Sequence, residues 1–351
     1  MTILYILLAI FVFGILIFIH ELGHFLAARA CGVTVHEFAI GMGPKLVWYQ
    51  SKKSGTVYSL RMFPFGGFVS MLGEGDEEAS EGAALAVGEG SLAAKPAWQR
   101  LIVNAAGAAM NLLFGFLVMG ILTLTTPLAS TTVLGFYETE QTSSADQGLM
   151  EDDKILSVNG KRVHIGEQLV YEIMHDGDEP VELVVERDGE RHELTVQFPT
   201  MEESGQTFGD PDFYVYGQTK TVGSFFSHAF FKCVYVVDMI WESIFDLFTG
   251  RYGMEAVSGP VGTGNVIAEA TRTGGLYALA NITVIISINL GIFNLLPLPA
   301  LDGGHILLNL VEIVTRKKVP QKISAIVDAV GLLLLLLLMV VVTFKDIFML
   351  F

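Results

Sequence analysis

The most constraining feature of the chain is a His-Glu-x-x-His pattern inside an apolar segment near its amino end. The segment begins at Ile3, and the pattern is His20-Glu21-Leu22-Gly23-His24. On a helix, residues four positions apart lie one above the other, so His20 and His24 can bind one divalent metal while Glu21 faces the same space. Zinc prefers such nitrogen donors, and a catalytic zinc site keeps one position open for water. The pattern predicts a zinc-hydrolase site that needs a third protein ligand, with Glu21 as general base.

The surroundings of the pattern favour a metal site over a chance match. A pattern with three fixed positions recurs in unrelated proteins, and on a soluble helix it would carry little weight. Here two histidines and a carboxylate lie in a segment apolar enough for a membrane, where unpaired polar groups are costly. We therefore interpret the pattern as part of a site for one zinc ion per chain.

Composition places the chain among membrane proteins. Of its 351 residues, 52% are hydrophobic and only 17% are charged, and the mean hydropathy is +0.53, above that of ordinary soluble domains. The formal net charge of -16 argues against nucleic acid as a partner, because neutralising phosphates needs clustered lysine and arginine. The two cysteines, Cys31 and Cys233, fit no thiolate metal pattern and are predicted to be free thiols.

Four apolar segments are predicted to cross the membrane, at about 3–27, 101–124, 278–300 and 323–343. A cleaved secretory signal is the alternative for the first, since Ala28-Arg29-Ala30 resembles a cleavage site. No positively charged region precedes this segment, and cleavage would remove both histidines. We therefore expect a retained first helix and a membrane core built from residues 1–124 and 278–351.

Residues 55–73 are too short and too interrupted to cross the membrane. Aromatic and β-branched residues are broken here by Pro64 and by the run Gly66-Gly67-Phe68. This pattern predicts a membrane-associated β-hairpin or a re-entrant loop beside the first helix. Its unpaired edge could receive an extended substrate at Gly66, Gly67 and Phe68. A hairpin that only packs against the helices is the alternative.

Residues 131–200 have the composition of a small soluble domain. Alternating strands at 181–186 and 192–197 flank the turn Arg187-Asp188-Gly189-Glu190, and a helix is expected at 167–175. The order of elements resembles a PDZ domain of the bacterial type, which captures peptide tails by strand addition. On that resemblance, the peptide-binding loop would be Val133-Leu134-Gly135-Phe136.

Three further regions connect or support these parts. Residues 74–93 are acidic and rich in small residues, which indicates a surface linker. Asn104 and Asn111, in the second span, are expected to form interhelical hydrogen bonds. Residues 206–275 form a connecting region in which 222–247 is predicted as an amphipathic helix on the outer membrane face, with a fifth span as the alternative.

The third span contains the missing metal ligand. Its apolar run is interrupted by Asn294-Leu295-Leu296-Pro297-Leu298-Pro299-Ala300-Leu301-Asp302-Gly303-Gly304-His305. Two prolines and two glycines break the helix there, and a lone carboxylate at that depth needs a cation. Asp302 is therefore predicted as the third zinc ligand.

These motifs resemble the site-2 protease family of intramembrane zinc metalloproteases, in particular its RseP- and RasP-like bacterial branch. The resemblance covers nearly the whole chain and rests on the His20 to His24 pattern, the Asn294 to Gly303 segment and the PDZ-like domain between them. Only one PDZ domain is found, where some members carry two. The fold expected is a polytopic α-helical membrane protein with four transmembrane helices, a membrane-associated β-loop and an inserted extracytoplasmic α+β PDZ domain.

The resemblance implies cleavage of transmembrane segments of single-span membrane proteins, such as anti-sigma factors or remnant signal peptides, after an earlier protease has trimmed them. It implies that Asn289 and Asn294 hold the substrate backbone, although each could instead form an interhelical hydrogen bond. The family's ligand is the aspartate, so Asp302 is preferred over His305, which is expected either to support a metal ligand or to be structural.

Basic residues orient the chain in a bacterial cytoplasmic membrane. They cluster between spans one and two and between spans three and four, and such loops are cytoplasmic under the positive-inside rule. The PDZ domain and both termini are then extracytoplasmic, with the active site in the bilayer toward the cytoplasmic side. A non-catalytic PDZ scaffold with a structural metal is the alternative function, but such a site needs no Glu21. A transporter would be expected to show inverted repeats, which the sequence lacks.

Overall fold

A computed structural model describes residues 3–73, 90–138, 141–203, 206–251 and 257–348. Most of the predicted linker at 74–93 lies outside the described residues. In chain order the elements are α1 (Ile3–Ala30), β1 (Val35–Gln50), β2 (Val57–Met71), α2 (Ala97–Thr125), β3 (Leu128–Phe136), β4 (Lys154–Val158), β5 (Lys161–Arg162), α3 (Gly166–Asp176), β6 (Val181–Arg187), β7 (Glu190–Val196), β8 (Thr200–Glu203), β9 (Gln206–Gly209), β10 (Phe213–Gln218), α4 (Val222–Thr249), α5 (Pro260–Leu295), α6 (Asp302–Thr315) and α7 (Gln321–Phe348).

Four helices have the length and apolar composition of membrane spans. They are α1, α2, α5 and α7, with spans over Leu7–Ala30, Ala97–Thr125, Val261–Leu295 and Ala325–Phe348. About 20 apolar residues suffice to cross the hydrocarbon core as a helix. The number and order of these helices match the four predicted segments, and the chain is a membrane protein. In the described part of the chain, α4 does not meet these criteria for a fifth span.

Helix α5 differs from its prediction because it begins at Pro260 rather than near residue 278. Proline suits the first helical turn, where its missing N–H is not needed. The backbone leaves helical geometry at Gly275, with φ 61° and ψ -147°, so two helical parts meet there. Polar residues such as Glu269 and Arg272 dilute the apolar pattern of the first part, and the sequence therefore marks only the second part as a span.

The chain divides into two compact units, of which the first comprises Met1–Val118 and Ile240–Phe351. In this unit β1 and β2 form an antiparallel sheet in which both strands bend. Residues 37–40 of β1 pair with residues 57–60 on one side and with residues 67–70 on the other. The predicted loop at 55–73 is therefore a bent strand, and its last part lies at the edge of the sheet.

A charge cluster fixes the bend of this sheet. Glu37 lies 2.8 Å from both Lys45 and Arg61 and accepts a hydrogen bond from the Ser59 hydroxyl. Desolvation by burial alone would raise the pKa of Glu37, but hydrogen bonds from Lys45, Ser59 and Arg61 outweigh it and lower the pKa to about 2. The carboxylate therefore stays charged and ties together three segments of the two strands.

The second unit, Met119–Met239, contains a six-stranded sheet in the order β10-β3-β4-β6-β7, with β5 paired to β4. Strands β6 and β7 pair from Val181 and Val196 to Arg187 and Glu190, and the turn between them contains Asp188 and Gly189 with positive φ. This is the hairpin that the sequence predicts. Helix α3 covers the expected segment, and its buried Leu169 and Ile173 belong to the apolar core of the unit.

Two expectations for this unit are wrong. Val133–Phe136 is not a loop but part of β3, and its residues pair with Phe213, Tyr214 and Val215 of β10. Val133 is fully buried and is also hydrogen-bonded through its backbone to Asp152 and Asp153 on its other side. The folded domain extends to Gln218 rather than to residue 200, because β10 returns to the sheet and buries Phe213 in its core.

Helix α4 packs some of its polar and aromatic side chains against the second unit and leaves a row of large apolar side chains exposed. In the second unit Lys232 is buried and lies 2.7 Å from Glu167, and Phe231 stacks on His164 with ring centroids 3.9 Å apart. The exposed large apolar side chains of α4 recur at helical spacing and include Phe226, Phe230, Trp241, Phe245 and Phe248. The helix expected at 222–247 therefore presents an apolar stripe away from the protein.

Candidate metal centre and active site

Two imidazoles of helix α1 face a common point. His20 and His24 lie one turn apart, with their Nε2 atoms 3.1 Å apart and their rings at 81° to one another. Their side chains are only 12% and 10% exposed. The helix thus brings two nitrogen donors into one small, largely buried volume, as the sequence pattern predicts.

Asp302 reaches the same point from the junction of α5 and α6. Helix α5 ends at Leu295, Pro297 and Pro299 follow, and α6 begins with Asp302 itself. The Asp302 Oδ2 atom lies 3.1 Å from His20 Nε2 and 3.3 Å from His24 Nε2. A Cβ on Gly303 would overlap the Leu296 carbonyl, so the tight return of the chain requires glycine after the aspartate.

The donor set fits zinc. A tetrahedral zinc ion with nitrogen ligands at about 2.0–2.1 Å holds neighbouring ligand atoms about 3.3 Å apart, and the three separations here are 3.1, 3.1 and 3.3 Å. His24 Nδ1 donates to the Val103 carbonyl at 2.8 Å, which leaves a lone pair on Nε2 of the neutral ring. Asp302 Oδ2 is buried without a hydrogen-bond partner among the described residues. Three electron-rich atoms therefore converge where a cation would satisfy them.

Glu21 lies where the edge of the β1–β2 sheet meets α1. Its carboxylate is hydrogen-bonded by the backbone of Val69, and a Cβ on Gly67 would lie 3.2 Å from Glu21 Cγ. The Leu72 amide bonds the Thr34 carbonyl, and alternate residues of a strand direct their amides to the same side. The Val69 amide therefore points away from β1, which is the direction needed to hold the Glu21 carboxylate.

Helix α2 supplies three contacts to the histidines. The sequence predicts an interhelical hydrogen bond for Asn111 without identifying its partner, and it does not predict the other two contacts. Val103 accepts the His24 hydrogen bond, a Cβ on Gly107 would lie 2.7 Å from His20 Cε1, and the Asn111 amide lies 3.3 Å from His20 Nδ1. The three residues recur at spacings of four, so they share one helix face. The small residues around Gly107 are the one local signal of this close approach.

The predicted substrate-binding asparagines lie on α5 with different partners. Asn294 Nδ2 donates to the Leu290 carbonyl of its own helix at 2.9 Å. Asn289 Oδ1 is buried and has no hydrogen-bond partner among the described residues. Neither belongs to the cluster of metal-ligating atoms, which in the described chain consists of His20, His24 and Asp302.

The other predicted site residues are placed as follows. Gly67 contacts the Glu21 region, whereas Gly66, with φ 85°, forms the bend before it. Phe68 carries the Arg61 guanidinium over its ring at 4.8 Å. His305 is 44% exposed and lies 3.8 Å from Asp328 of α7, outside the metal-ligating cluster.

One family model and several known proteins match nearly the whole chain. The family model for peptidase family M50 matches residues 8–338. A Clostridium perfringens protein provisionally named a zinc metalloprotease is 34% identical over 98% of both chains. The zinc metalloprotease RasP of Geobacillus kaustophilus is 31% identical over 96% of both chains. The regulator of sigma-W protease RasP of Bacillus subtilis is 29% identical over 97% of this chain and 98% of its own.

Proposed function

The chain belongs to peptidase family M50 and is a zinc metalloprotease of the site-2 type, and we propose that it cleaves the transmembrane segments of single-span membrane proteins. The observation that carries the proposal is the location of the reactive groups. His20, Glu21 and His24 lie on a helix long and apolar enough to span a membrane, and Asp302 follows another such helix closely. A peptide bond that reaches these groups would belong to a segment embedded in the bilayer.

The proposed chemistry assigns one role to each side chain. His20, His24 and Asp302 hold the zinc ion, which when bound supplies Lewis acidity toward the scissile carbonyl and the attacking water. Glu21 accepts the proton of that water and delivers it to the leaving amine. The Val69 amide keeps the Glu21 carboxylate oriented for both transfers.

We place the substrate along the edge of the β1–β2 sheet. A peptide bond inside a helix is shielded and its carbonyl is hydrogen-bonded, so the substrate must become extended before attack. Residues 67–71 of β2 pair with β1 on one side and run past Glu21 on the other. A strand added at Gly67 would therefore lie next to the catalytic base. Asn289 Oδ1, which is buried without a hydrogen-bond partner in the described part of the chain, supports a role for this residue, with Asn294, in holding the substrate backbone.

We propose that the second unit is an extracytoplasmic PDZ domain that acts as a gate for trimmed substrates. Its sheet and its helix α3 support this assignment. Because Val133–Phe136 already pairs with β10, a peptide tail would have to add at a free edge of the sheet, at β10 or β7. The exposed apolar stripe of α4 supports contact with the bilayer surface.

We also propose the bacterial cytoplasmic membrane as the location, with both termini outside and the active site toward the cytoplasmic side. Support comes from the basic residues between spans one and two, or at the adjoining ends of these two spans, and between spans three and four. These are Arg29, Lys45, Lys52, Lys53, Arg61, Lys95, Arg100, Arg316, Lys317, Lys318 and Lys322.

Co-expression with candidate single-span membrane proteins tests the proposed substrate class. Wild type and Glu21→Gln are compared for uncut substrate by immunoblot, with zinc content measured in both. We expect Glu21→Gln to keep zinc and to accumulate uncut substrate. The control Glu269→Gln, at an exposed position of α5, should cleave like wild type. Equal cleavage by wild type and Glu21→Gln would refute the assigned base, and the scaffold alternative would stand if no membrane segment were cut.

A further inference from the structure

Asn111 of α2 is a fully buried polar residue directed at a metal-ligating histidine. Its Nδ2 atom lies 3.3 Å from His20 Nδ1. Its Oδ1 atom is buried and has no hydrogen-bond partner among the described residues. A buried amide oxygen without a hydrogen-bond donor is unfavourable, so this arrangement needs an explanation.

The chemistry of His20 supplies that explanation. His20 presents Nε2 to Asp302 and His24, and Nε2 can bind a metal only if it carries no proton. The neutral ring must then carry its proton on Nδ1, which becomes a donor toward Asn111. An amide NH2 cannot accept this hydrogen bond, but the amide oxygen can.

Turning the Asn111 amide over exchanges its oxygen and nitrogen in nearly the same volume. The oxygen then accepts a hydrogen bond from His20 Nδ1–H, and the buried Oδ1 atom gains its donor. With the nitrogen toward the ring, Nδ1 accepts and the proton lies on Nε2, where it blocks the metal. The two amide orientations therefore correspond to a metal-free and a metal-binding tautomer of His20.

We propose that Asn111 is the positioning residue of His20, fixing the ring and its metal-binding tautomer through Oδ1. The contact is the counterpart of the His24 Nδ1 bond to the Val103 carbonyl on the same face of α2. One helix thus orients both imidazoles, and Gly107 between the two contacts leaves room for the rings. Partners of this kind hold a ligand in place and raise its basicity.

A hydrogen bond to the backbone of Asn111 holds α2 against α5 and does not involve the Asn111 side chain. The Ser287 hydroxyl of α5 donates to the Asn111 backbone carbonyl at 2.8 Å, and both residues are fully buried. A substitution of the side chain leaves this backbone bond in place. The structure therefore allows the effect on His20 to be separated from the packing of α2 against α5.

The test measures zinc affinity of the intact detergent-solubilised protein by competition with a chelator. Asn111→Leu removes both amide groups at similar volume, Asn111→Ala removes them without risk of a clash, and Asn111→Asp keeps an acceptor. We expect zinc binding about 10–100-fold weaker in Asn111→Leu and Asn111→Ala, and affinity largely restored in Asn111→Asp. Asn104→Leu, on the same helix, should bind zinc like wild type, and in cobalt-loaded protein only the Leu and Ala variants at position 111 should show an altered visible spectrum.

The inference rests on the proposed ligand set, and His20→Ala separates the two. If His20→Ala leaves zinc affinity unchanged, the ligand assignment fails. If His20→Ala loses zinc while Asn111→Leu and Asn111→Ala bind it with wild-type affinity and spectrum, only the role of Asn111 is refuted. A merely structural role would lower the thermal stability of the zinc-free protein without changing the cobalt spectrum, and this result would also overturn the inference.

Discussion

At the scale of single residues, the candidate metal centre depends on two glycines as well as on its three proposed ligands. A Cβ on Gly23 of α1 would overlap the Ala106 carbonyl of α2, and a Cβ on Gly107 of α2 would overlap the His24 ring. Lipid tails are as apolar as the side chains, so no hydrophobic driving force brings transmembrane helices together. They associate through close packing, which small residues allow. The two glycines therefore allow α2 to reach both histidines.

The ligand set leads to the first prediction. Purified wild type should hold about one zinc ion per chain, and His20→Ala, His24→Ala and Asp302→Ala should each lower occupancy, measured by elemental analysis. His305→Ala is the control, because His305 lies outside the cluster and near Asp328. Full zinc in Asp302→Ala together with loss in His305→Ala would show that the third ligand is misassigned.

A second prediction concerns Gly107→Ala. The added methyl group meets both imidazoles, so zinc affinity should fall by about tenfold or more, as when a partner of a metal ligand is disturbed. Gly120→Ala is the matched control on the same helix, since its Cβ would lie at an ordinary 3.7 Å from Phe225. Wild-type affinity in Gly107→Ala would mean that α2 can move away from the histidines without loss.

At the scale of elements, the bent β1–β2 sheet would bring the proposed substrate strand next to Glu21, the proposed base. Residues 37–40 hold the centre of the sheet and the Glu37 cluster fixes its bend, which leaves residues 67–71 as the edge beside α1. The Val69 amide is already used by Glu21. A substrate strand would therefore pair with other groups of this edge, and we propose that Val69 orients Glu21 instead.

Val69→Pro tests this role of the edge. Proline has no N–H, so the Glu21 carboxylate loses its hydrogen bond and cleavage should fall by about 100-fold, the scale of general-base catalysis. Zinc content should remain unchanged, because no metal ligand lies on β2. Val69→Ala keeps the amide and serves as control for lost packing at this buried position. Unchanged cleavage in Val69→Pro would indicate that the sheet only packs against the helices.

At the scale of the whole molecule, the proposed metal ligands and the inserted domain belong to different units of the chain. His20, His24 and Asp302 lie in the unit of Met1–Val118 and Ile240–Phe351, whereas the six-stranded sheet lies in Met119–Met239. Strand β10 is the last strand in the sequence to join this sheet, as the edge strand next to β3. The segment to delete is therefore Leu128–Gln218 rather than the predicted 131–200.

Replacing Leu128–Gln218 with a flexible linker should leave zinc binding intact, because no ligand is removed. If the domain is a gate, wild type should leave uncut a substrate that still carries its full outer domain, and the variant should cleave it. Cleavage of long and trimmed substrates is compared by immunoblot. Loss of both activities in a folded, zinc-loaded variant would show instead that the domain positions the substrate.

The sequence by itself determined the features that depend on local pattern. His20 and His24 are neighbours in space because residues four positions apart share one helix face. The membrane spans follow from uninterrupted apolar length, and the break before Asp302 follows from prolines and glycines. The zinc metalloprotease family could be recognised from these motifs because each is contiguous in the chain.

Only the tertiary structure decided which groups surround the histidines. The bond from His24 to Val103 joins residues 79 positions apart, and that between His20 and Asn111 joins residues 91 apart. No local period indicates such pairs, so Asn111 looks like any polar residue between helices. The resemblance to a PDZ domain predicts a loop at Val133–Phe136, whereas pairing with β10, about 80 positions away, makes this segment part of a strand. Long-range pairing depends on how distant segments pack, and a pattern of neighbouring residues does not record it.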